Sequence, residues 1–306
     1  MEPRLFILIR SGRRRRRTAL SAQPSRFVKF SVITPSRNQL PYLALCAASV
    51  ADQTGVEVEH IIQDAGSEGD LMAWAKPRPN VRLFVERDEG MYDAINRGLA
   101  RATGQICAYL NCDEQYLPET LAIVGRFFAA HRAVDVLFGD AVLTDQQGSP
   151  ISYRRTILPR LQHVRLAHLN TLSCAMFFRR RLLDRGFYFD PGLKDVGDGV
   201  WVEELLRNNV KMATLPRPLA IFAFTGENRS GMAYAGREAA SRREIAGPGT
   251  WLQRRLAIVS HRIRKAMAGA YRRRSVEIQI FTLKSPERRQ RRTGNRVGFR
   301  WPTRKG

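Results

Sequence analysis

The chain has 306 residues, 44% of them hydrophobic, with a formal net charge of +23, a size that suits one large domain or a domain with an appendage. No run approaches the roughly 18–20 apolar residues of a membrane-crossing helix. The four cysteines, Cys46, Cys107, Cys112 and Cys174, form no CxxC pair or tight framework, which argues against a disulfide scaffold and for a reducing compartment.

The charge is not spread evenly. Residues 1–29 carry nine Lys/Arg against one Glu, and residues 229–306 carry 21 Lys/Arg against four Glu, leaving −2 for the stretch between them. The middle is an ordinary near-neutral globular sequence, and the basicity belongs to the ends. A basic patch suits nucleic acid or anionic lipid, and charge alone does not choose. Leu5–Ile9 is too short for a signal-peptide core and is followed by Arg13–Arg17 where a cleavage site would fall. The expected location is cytoplasmic, peripheral to the inner face of the membrane.

Residues 1–27 read as a basic, disordered arm. The pattern then changes. Val28–Thr34 is β-rich and stops at Pro35; Gln39–Gln53 is helical; Val56–Ile62 is a second strand. A short helix leads to a third strand at Val81–Glu86. Met91–Ala102 is helical, Ile106–Leu110 is a fourth strand, Pro118–His131 is a helix with Pro in its first turn, and Val134–Phe138 is a fifth strand. Strands alternating with helices of this length predict βαβ units and a mostly parallel central sheet. Further on, Cys174–Phe178 is β-like, Asp195–Asn208 is helical, and Val210–Leu215 and Leu219–Phe224 are strands. From Trp251, Leu252, Leu256, Val259, Ile263, Met267 and Ala270 recur at three- or four-residue spacing among arginines, which predicts a basic amphipathic helix. The resulting division is a basic arm over 1–27, an α/β catalytic domain over 28–228, and a basic helical C-terminal extension over 229–306.

Ligands of such sheets bind beyond the carboxyl ends of the strands, and polar clusters stand at four of those ends. They are Pro35-Ser36-Arg37-Asn38, Asp64-Ala65-Gly66-Ser67, Arg87-Asp88-Glu89-Gly90 and Asn111-Cys112-Asp113-Glu114. Asp64 suits hydrogen bonds from a nucleobase or ribose, with Gly66 allowing close approach. The helix that opens after Asp88 and carries Asp93, Asn96 and Arg97 suits a phosphate at its N-terminus. Asp113 and Glu114 are either an acidic turn before a helix or oxygen ligands for Mg²⁺ or Mn²⁺ bridging to a diphosphate. Asp198 is either a helix N-cap or a general base toward an acceptor hydroxyl; Glu203 and Glu204 on the same helix are alternatives. His168 is a candidate lining residue for an acceptor pocket.

The run Ser31-Val32-Ile33-Thr34-Pro35-Ser36-Arg37-Asn38, then Gln63 to Ser67, Gly90 to Gly98, and Tyr109 to Glu114 resembles the family 2 glycosyltransferases of the GT-A fold. The likeness is greatest to the bacterial branch that builds cell-surface polysaccharide, and it covers roughly Phe30–Phe224. The resemblance implies a Rossmann-like GT-A catalytic domain that uses a nucleoside-diphosphate sugar donor and a saccharide or lipid-linked saccharide acceptor. It places Pro35, Asn38 and Asp64 at the nucleotide base, with Asp88, Asp93, Asn96 and Arg97 completing the donor site. It assigns Asp113 and Glu114 to ribose and the metal-bound diphosphate, and Asp198 to the base of an inverting mechanism. Two motifs depart from the family pattern: the acidic motif begins with Asn111 and ends in Glu114 where Asp is usual, and Asp198 is followed by Gly199 and Glu204 where an aromatic or acidic residue and later an Arg are common.

Three other readings are weaker. A nucleic-acid-binding protein needs a reading helix or an aromatic-studded basic groove within the fold, and the near-neutral middle has neither, so no nucleic acid is expected and an anionic membrane surface is the expected partner of the basic ends. A nucleotidyltransferase needs a Gly-rich loop after the first strand, and Pro35–Asn38 has no glycine. A catalytically degenerate relative is the remaining alternative.

Overall fold

The computed structural model describes residues 28–224 and 251–302. The expected arm over 1–27 and the stretches 229–250 and 303–306 of the expected extension lie outside the described residues. The elements in chain order begin with β1 (Lys29–Ser36), α1 (Leu40–Ala51), β2 (Glu57–Asp64), α2 (Leu71–Ala75), β3 (Val81–Val85), α3 (Met91–Ala100) and β4 (Ile106–Tyr109). There follow β5 (Glu114–Tyr116), α4 (Thr120–Ala130), β6 (Val136–Thr144), β7 (Pro150–Arg154), α5 (Leu161–Leu166), β8 (Met176–Arg179), α6 (Arg181–Asp184) and α7 (Gly197–Arg207). The chain closes with β9 (Met212–Ala223), α8 (Trp251–Met267), β10 (Arg274–Thr282) and β11 (Ser285–Val297).

The main sheet runs in the order β3-β2-β1-β4-β8-β6-β9-β5, with β7 added to β6. Its first half is parallel: β1 pairs with β2 in the register Ile33↔Ile61 and Ser36↔Asp64, and with β4 in the register Ile33↔Tyr109. The order reverses on either side of β1, so the carboxyl ends of β1, β2 and β4 open on one crevice. The second half mixes directions, since β8 is antiparallel to both β4 and β6.

Each face of the sheet has its own apolar layer, which is why the central strands read as continuous hydrophobic runs. On one face, Ile33, Ile61 and Tyr109 pack against Tyr92, Ile95 and Leu99 of α3 and Trp201, Val202 and Leu205 of α7. On the other, Phe30, Val32 and Ala108 pack against Cys46 and Val50 of α1 and Leu121, Val124 and Phe128 of α4. All four cysteines are free and buried, in keeping with small core residues.

At the opposite ends of these strands, buried Glu59 gathers the start of the sheet. Its carboxylate accepts hydrogen bonds from Ser31 Oγ (2.6 Å), the Thr103 backbone N–H (2.6 Å), Thr103 Oγ1 (2.8 Å) and Arg82 (2.7 Å). Burial pushes this acid up, but the four donors outweigh it and hold the pKa at about 2.

Two expectations need correcting. The strands read separately as Val210–Leu215 and Leu219–Phe224 are one strand, β9, carried past Pro216 and Pro218 by a register irregularity opposite Gly139 and Asp140. The C-terminal extension is not purely helical: α8 forms as expected, but 274–297 is the antiparallel hairpin β10–β11. Ile278, Ile280 and Val297 of that hairpin pack with Leu117, Val142, Tyr153 and Ile221, so the hairpin shares a core with the sheet. Alternation of these apolar residues with Glu277, Gln279 and the arginines of β11 is the period-2 pattern of a half-buried strand, hidden in the sequence by the density of charge.

Candidate functional site

The first crevice loop is set by backbone geometry. Asn38 holds a left-handed conformation with φ of 53°, one of the few non-glycine types that tolerates it. There its N–H donates to Ser67 Oγ (2.6 Å) and its Oδ1 accepts from the Glu68 N–H (2.9 Å). Asp64, fully buried at the end of β2, accepts from the N–H groups of Gly66 (3.0 Å) and Ser67 (2.6 Å) and from Ser67 Oγ (2.6 Å). Gly66 turns the chain with φ of 87°, which a side chain would oppose. Asn38 and Asp64 therefore lock the first two loops together, and the surfaces left facing the crevice belong to Pro35, Ser36, Arg37 and Ala65.

In the third loop Asp88 faces the crevice. Burial raises its pKa, against a hydrogen bond from the Gly90 N–H (3.0 Å). The three other candidates on α3 face elsewhere. Asp93 accepts from the Glu89 N–H (3.0 Å) and pairs with Arg97 (2.9 Å), which also reaches Glu86 (3.8 Å). Asn96 clamps Phe189, donating to its carbonyl (2.7 Å) and accepting from its N–H (3.0 Å). None of the three lines the crevice. Asp93 and Arg97, expected at the donor site, thus form an i,i+4 ion pair, and Asn96 a cross-loop clamp.

The fourth loop divides the acidic pair. Asn111, Cys112 and Asp113 line the crevice, whereas Glu114 begins β5 behind it and is fully buried. Glu114 Oε2 accepts from the Asn111 N–H (2.8 Å). Burial pushes both carboxylic acids up, and Glu114 is raised further by the neighbouring Asp113. The pair expected as metal ligands thus has one member in the crevice and one under it.

Across the crevice stands the first turn of α7. Asp198 lines the cavity, accepts from the Gly199 N–H (2.7 Å), and has its own N–H directed to Tyr92 Oη (3.2 Å). Burial lifts its pKa from 3.8 to about 6. Close approach of α7 to Tyr92 requires glycine at 197, where a Cβ would lie 2.5 Å from the ring. The alternatives on this helix are elsewhere: Glu203 pairs with Arg207 (2.7 Å) and Arg165 (3.4 Å), and Glu204 does not line the cavity. His168 packs edge-on to His261 of α8, 4.7 Å between centroids, away from the crevice.

Together these loops enclose one cavity of about 400 Å³. Several lining residues were not singled out in the sequence. Arg37 and Lys194 bring cations to the wall, and Lys194 Nζ donates to the Glu89 carbonyl. Arg37 stands in the first polar loop beside Asn38, and Lys194 directly precedes the Asp195-Val196-Gly197-Asp198 run. Trp301 reaches the cavity from the far end of the chain and has no local signal. It is placed there because residues 298–300 bond to β7: Tyr153 N–H to the Gly298 carbonyl (2.9 Å), Arg154 to the Phe299 carbonyl (3.0 Å) and Ser152 Oγ to the Arg300 carbonyl (2.8 Å).

The donor set suits a hard divalent cation. Asp113 faces the cavity, and the adjacent Asn111 Oδ1 and Glu114 Oε1 are buried oxygens without a hydrogen-bond partner. Among the described residues no group of three or more His, Cys, Asp or Glu side chains is arranged around one point. One carboxylate with a neighbouring amide oxygen is the protein share expected of Mg²⁺, which is otherwise ligated by substrate phosphates and water.

Residues 31–187 match the family model described as glycosyl transferase family 2. A PGL/p-HBAD biosynthesis glycosyltransferase of Mycobacterium tuberculosis is 32% identical over 162 residues, 50% of this chain and 60% of the relative. The chain therefore spans less than two thirds of that relative's length. An uncharacterized glycosyltransferase of Nostoc sp. is 26% identical over 218 residues, 66% of each chain. Among solved structures, S. aureus TarS in complex with UDP-GlcNAc superposes with a TM-score of 0.55 at 21% identity, covering 78% of this chain and 73% of that one. A mannosyltransferase from Pyrobaculum calidifontis in complex with GDP-Man and Mn²⁺ gives 0.54 at 16% identity, covering 82% and 78%. At these identities the two structures show a shared GT-A fold.

Proposed function

Because the chain belongs to glycosyl transferase family 2, we propose that it moves a sugar from a nucleoside-diphosphate sugar to a hydroxyl of a saccharide acceptor, with inversion and with Mg²⁺ or Mn²⁺. The observation that carries this reading is a single cavity at the strand carboxyl ends that holds Asp113 on one wall and a half-buried, basic-shifted Asp198 on another. The donor chemistry follows the ligands of the structural neighbours, UDP-GlcNAc in one and GDP-Man with Mn²⁺ in the other.

In this mechanism Pro35, Arg37 and Ala65 border the nucleotide, with Asn38 and Asp64 fixing the loops from behind. Arg37 and Lys194 offset negative charge on the diphosphate, a contribution strengthened by exclusion of water. A divalent cation held by Asp113 and Asn111 would neutralise charge developing on the leaving diphosphate. Asp198 takes the proton of the acceptor hydroxyl as that oxygen bonds to the anomeric carbon and the carbon–diphosphate bond breaks. A carboxylate whose pKa is lifted to about 6 is ionised near neutrality yet more basic than an ordinary aspartate. The acceptor in this reading is a lipid-linked saccharide, met at the cytoplasmic face of a membrane.

The test is release of nucleoside diphosphate from UDP-, GDP-, CDP- and dTDP-sugars in the presence of a lipid-linked saccharide extract. Metal-dependent release from one donor class, with an anomeric configuration in the product opposite to that of the donor by NMR, is the expected result. Release that continues in Asp198→Asn at the wild-type rate would remove the assigned base. Retained configuration would remove the inverting mechanism.

A further inference from the structure

Among the described residues, the packing of α8 leaves one of its faces without a protein partner. Ala257 and His261 are its buried residues. His261 meets His163 of α5 at 5.0 Å and His168 at 4.7 Å between ring centroids. Arg264 adds bonds to the Leu158 carbonyl (2.9 Å) and to His163 Nδ1 (3.1 Å). These contacts fix how the helix is rotated on the protein.

At about 100° per residue, Leu252, Leu256, Val259, Ile263 and Met267 fall within an arc of about 80°, on the side away from Ala257 and His261. All five are 52–83% exposed. Trp251 lies about 80° outside this stripe, on the side of Arg255 and Arg262, at 67% exposure and with Arg255 over its ring at 4.2 Å. Single exposed apolar residues are ordinary, but a continuous stripe on a docked helix marks an interaction surface. The charge around it is one-sided: residues 251–276 hold eight Lys/Arg and no Asp or Glu. Exposed Arg255 and Arg262 border the stripe along one edge and Arg264 lies toward the other.

We propose that this stripe of α8 is a docking surface for an anionic lipid bilayer, lying in the plane of the interface with its five aliphatic side chains among the acyl chains. An apolar stripe edged by arginines, with an exposed tryptophan in the first turn, is the chemistry of an interfacial helix. Nucleic acid would use the cations but has no place for five aliphatic side chains. No described helix is long and apolar enough to cross a membrane, so attachment through this helix is to one face of the bilayer. The inference deepens the membrane-facing part of the proposed function, yet it stands on surface chemistry and is tested without turnover.

The experiment is co-sedimentation of the full chain with vesicles of phosphatidylcholine, with and without about one third phosphatidylglycerol. Wild-type protein should sediment with the anionic vesicles and at least tenfold less with the neutral ones. Leu256→Glu with Ile263→Glu should lower the anionic-vesicle affinity at least tenfold. Both sites are exposed, so the thermal melt and any nucleotide-induced shift in it should stay as in the wild type. Met267→Glu, at the most exposed position, is a milder second variant that should weaken binding in the same direction. Equal binding of wild type and both variants would overturn the proposal, as would failure of the wild type to bind. Loss of a dimer in the double variant with vesicle binding unchanged would show that a second copy covers the stripe, and would also overturn it. A nucleotide-induced shift without vesicle binding would remove this surface and leave the catalytic reading in place.

Discussion

Replacing Asp198 by Asn keeps the shape of the side chain and its bond from the Gly199 N–H but removes the charge, and it should move activity and stability in opposite directions. In the unfolded chain this acid ionises at its ordinary 3.8; in the folded protein burial delays ionisation to about 6. Between those values the folded state keeps a proton that the unfolded state has lost, so stability falls as pH rises through the window and remains lower above it. At 1.36 kcal/mol per unit the difference is about 3 kcal/mol at pH 8, an upper bound because the native site can relax. Asp198→Asn should therefore raise Tm by several degrees at pH 8, with most of the gain gone at pH 4. Loss of a general base costs roughly 10²–10⁴ in rate, so turnover should fall by that factor. In the wild type, activity should climb with pH through about 6 as the carboxylate ionises. The assay is differential scanning calorimetry from pH 4 to 8 alongside donor consumption. An Asn variant that is less stable at every pH, or as active as the wild type, would refute the reasoning.

Three other substitutions test the surroundings. Gly197→Ala puts a Cβ 2.5 Å from the Tyr92 ring; relieving the clash should cost about 1–3 kcal/mol and lower turnover, and an unchanged melt and rate would show that α7 does not depend on this approach. Asn96→Ala leaves the Phe189 backbone without two partners, so unfolding by urea should show a loss of about 1–3 kcal/mol while nucleotide affinity is kept; a selective loss of affinity would return Asn96 to the donor site. Glu59→Gln should destabilise the protein near neutrality, because an acid held at about 2 instead of 4.5 stabilises the fold above the unfolded value and loses that contribution as pH falls toward 2. The gap between wild type and variant should narrow by pH 3, and a constant gap would mean that the lost hydrogen bonds, not ionisation, set it.

The parallel half of the fold was legible because its signals are local. Strands such as Lys29–Ser36 are buried on both faces and read as unbroken apolar runs, and each ends in a polar turn at the crevice. Those turns and the first turn of α7 are the segments that line the cavity. Which side chain of a loop faces the ligand is not local information. Asp64 and Asn38 read as ligand contacts in the sequence; the structure adds that their oxygens accept from the N–H groups of the turn they stand in. Asp93 and Arg97 are expected at the donor site from the helix N-terminus and the family resemblance; that they also form an i,i+4 ion pair cannot be told from two functional charges in a sequence. Glu114 and Asp113 are adjacent and alike, and only the start of β5 puts one inside and the other at the surface of the cavity. The hairpin β10–β11 and the arrival of Trp301 depend on contacts across more than a hundred residues, for which a single sequence holds no register.

In the proposed function this cavity binds a nucleoside diphosphate through Asp113 and a divalent cation. Isothermal titration of UDP, GDP, CDP and dTDP, with and without Mn²⁺, into wild type and Asp113→Asn tests it most directly. The account predicts that one nucleotide binds, that Mn²⁺ tightens it, and that the Mn²⁺ increment disappears in Asp113→Asn while the melt stays close to wild type. No heat from any nucleotide, or a Mn²⁺ increment that survives the loss of the Asp113 carboxylate, would contradict it.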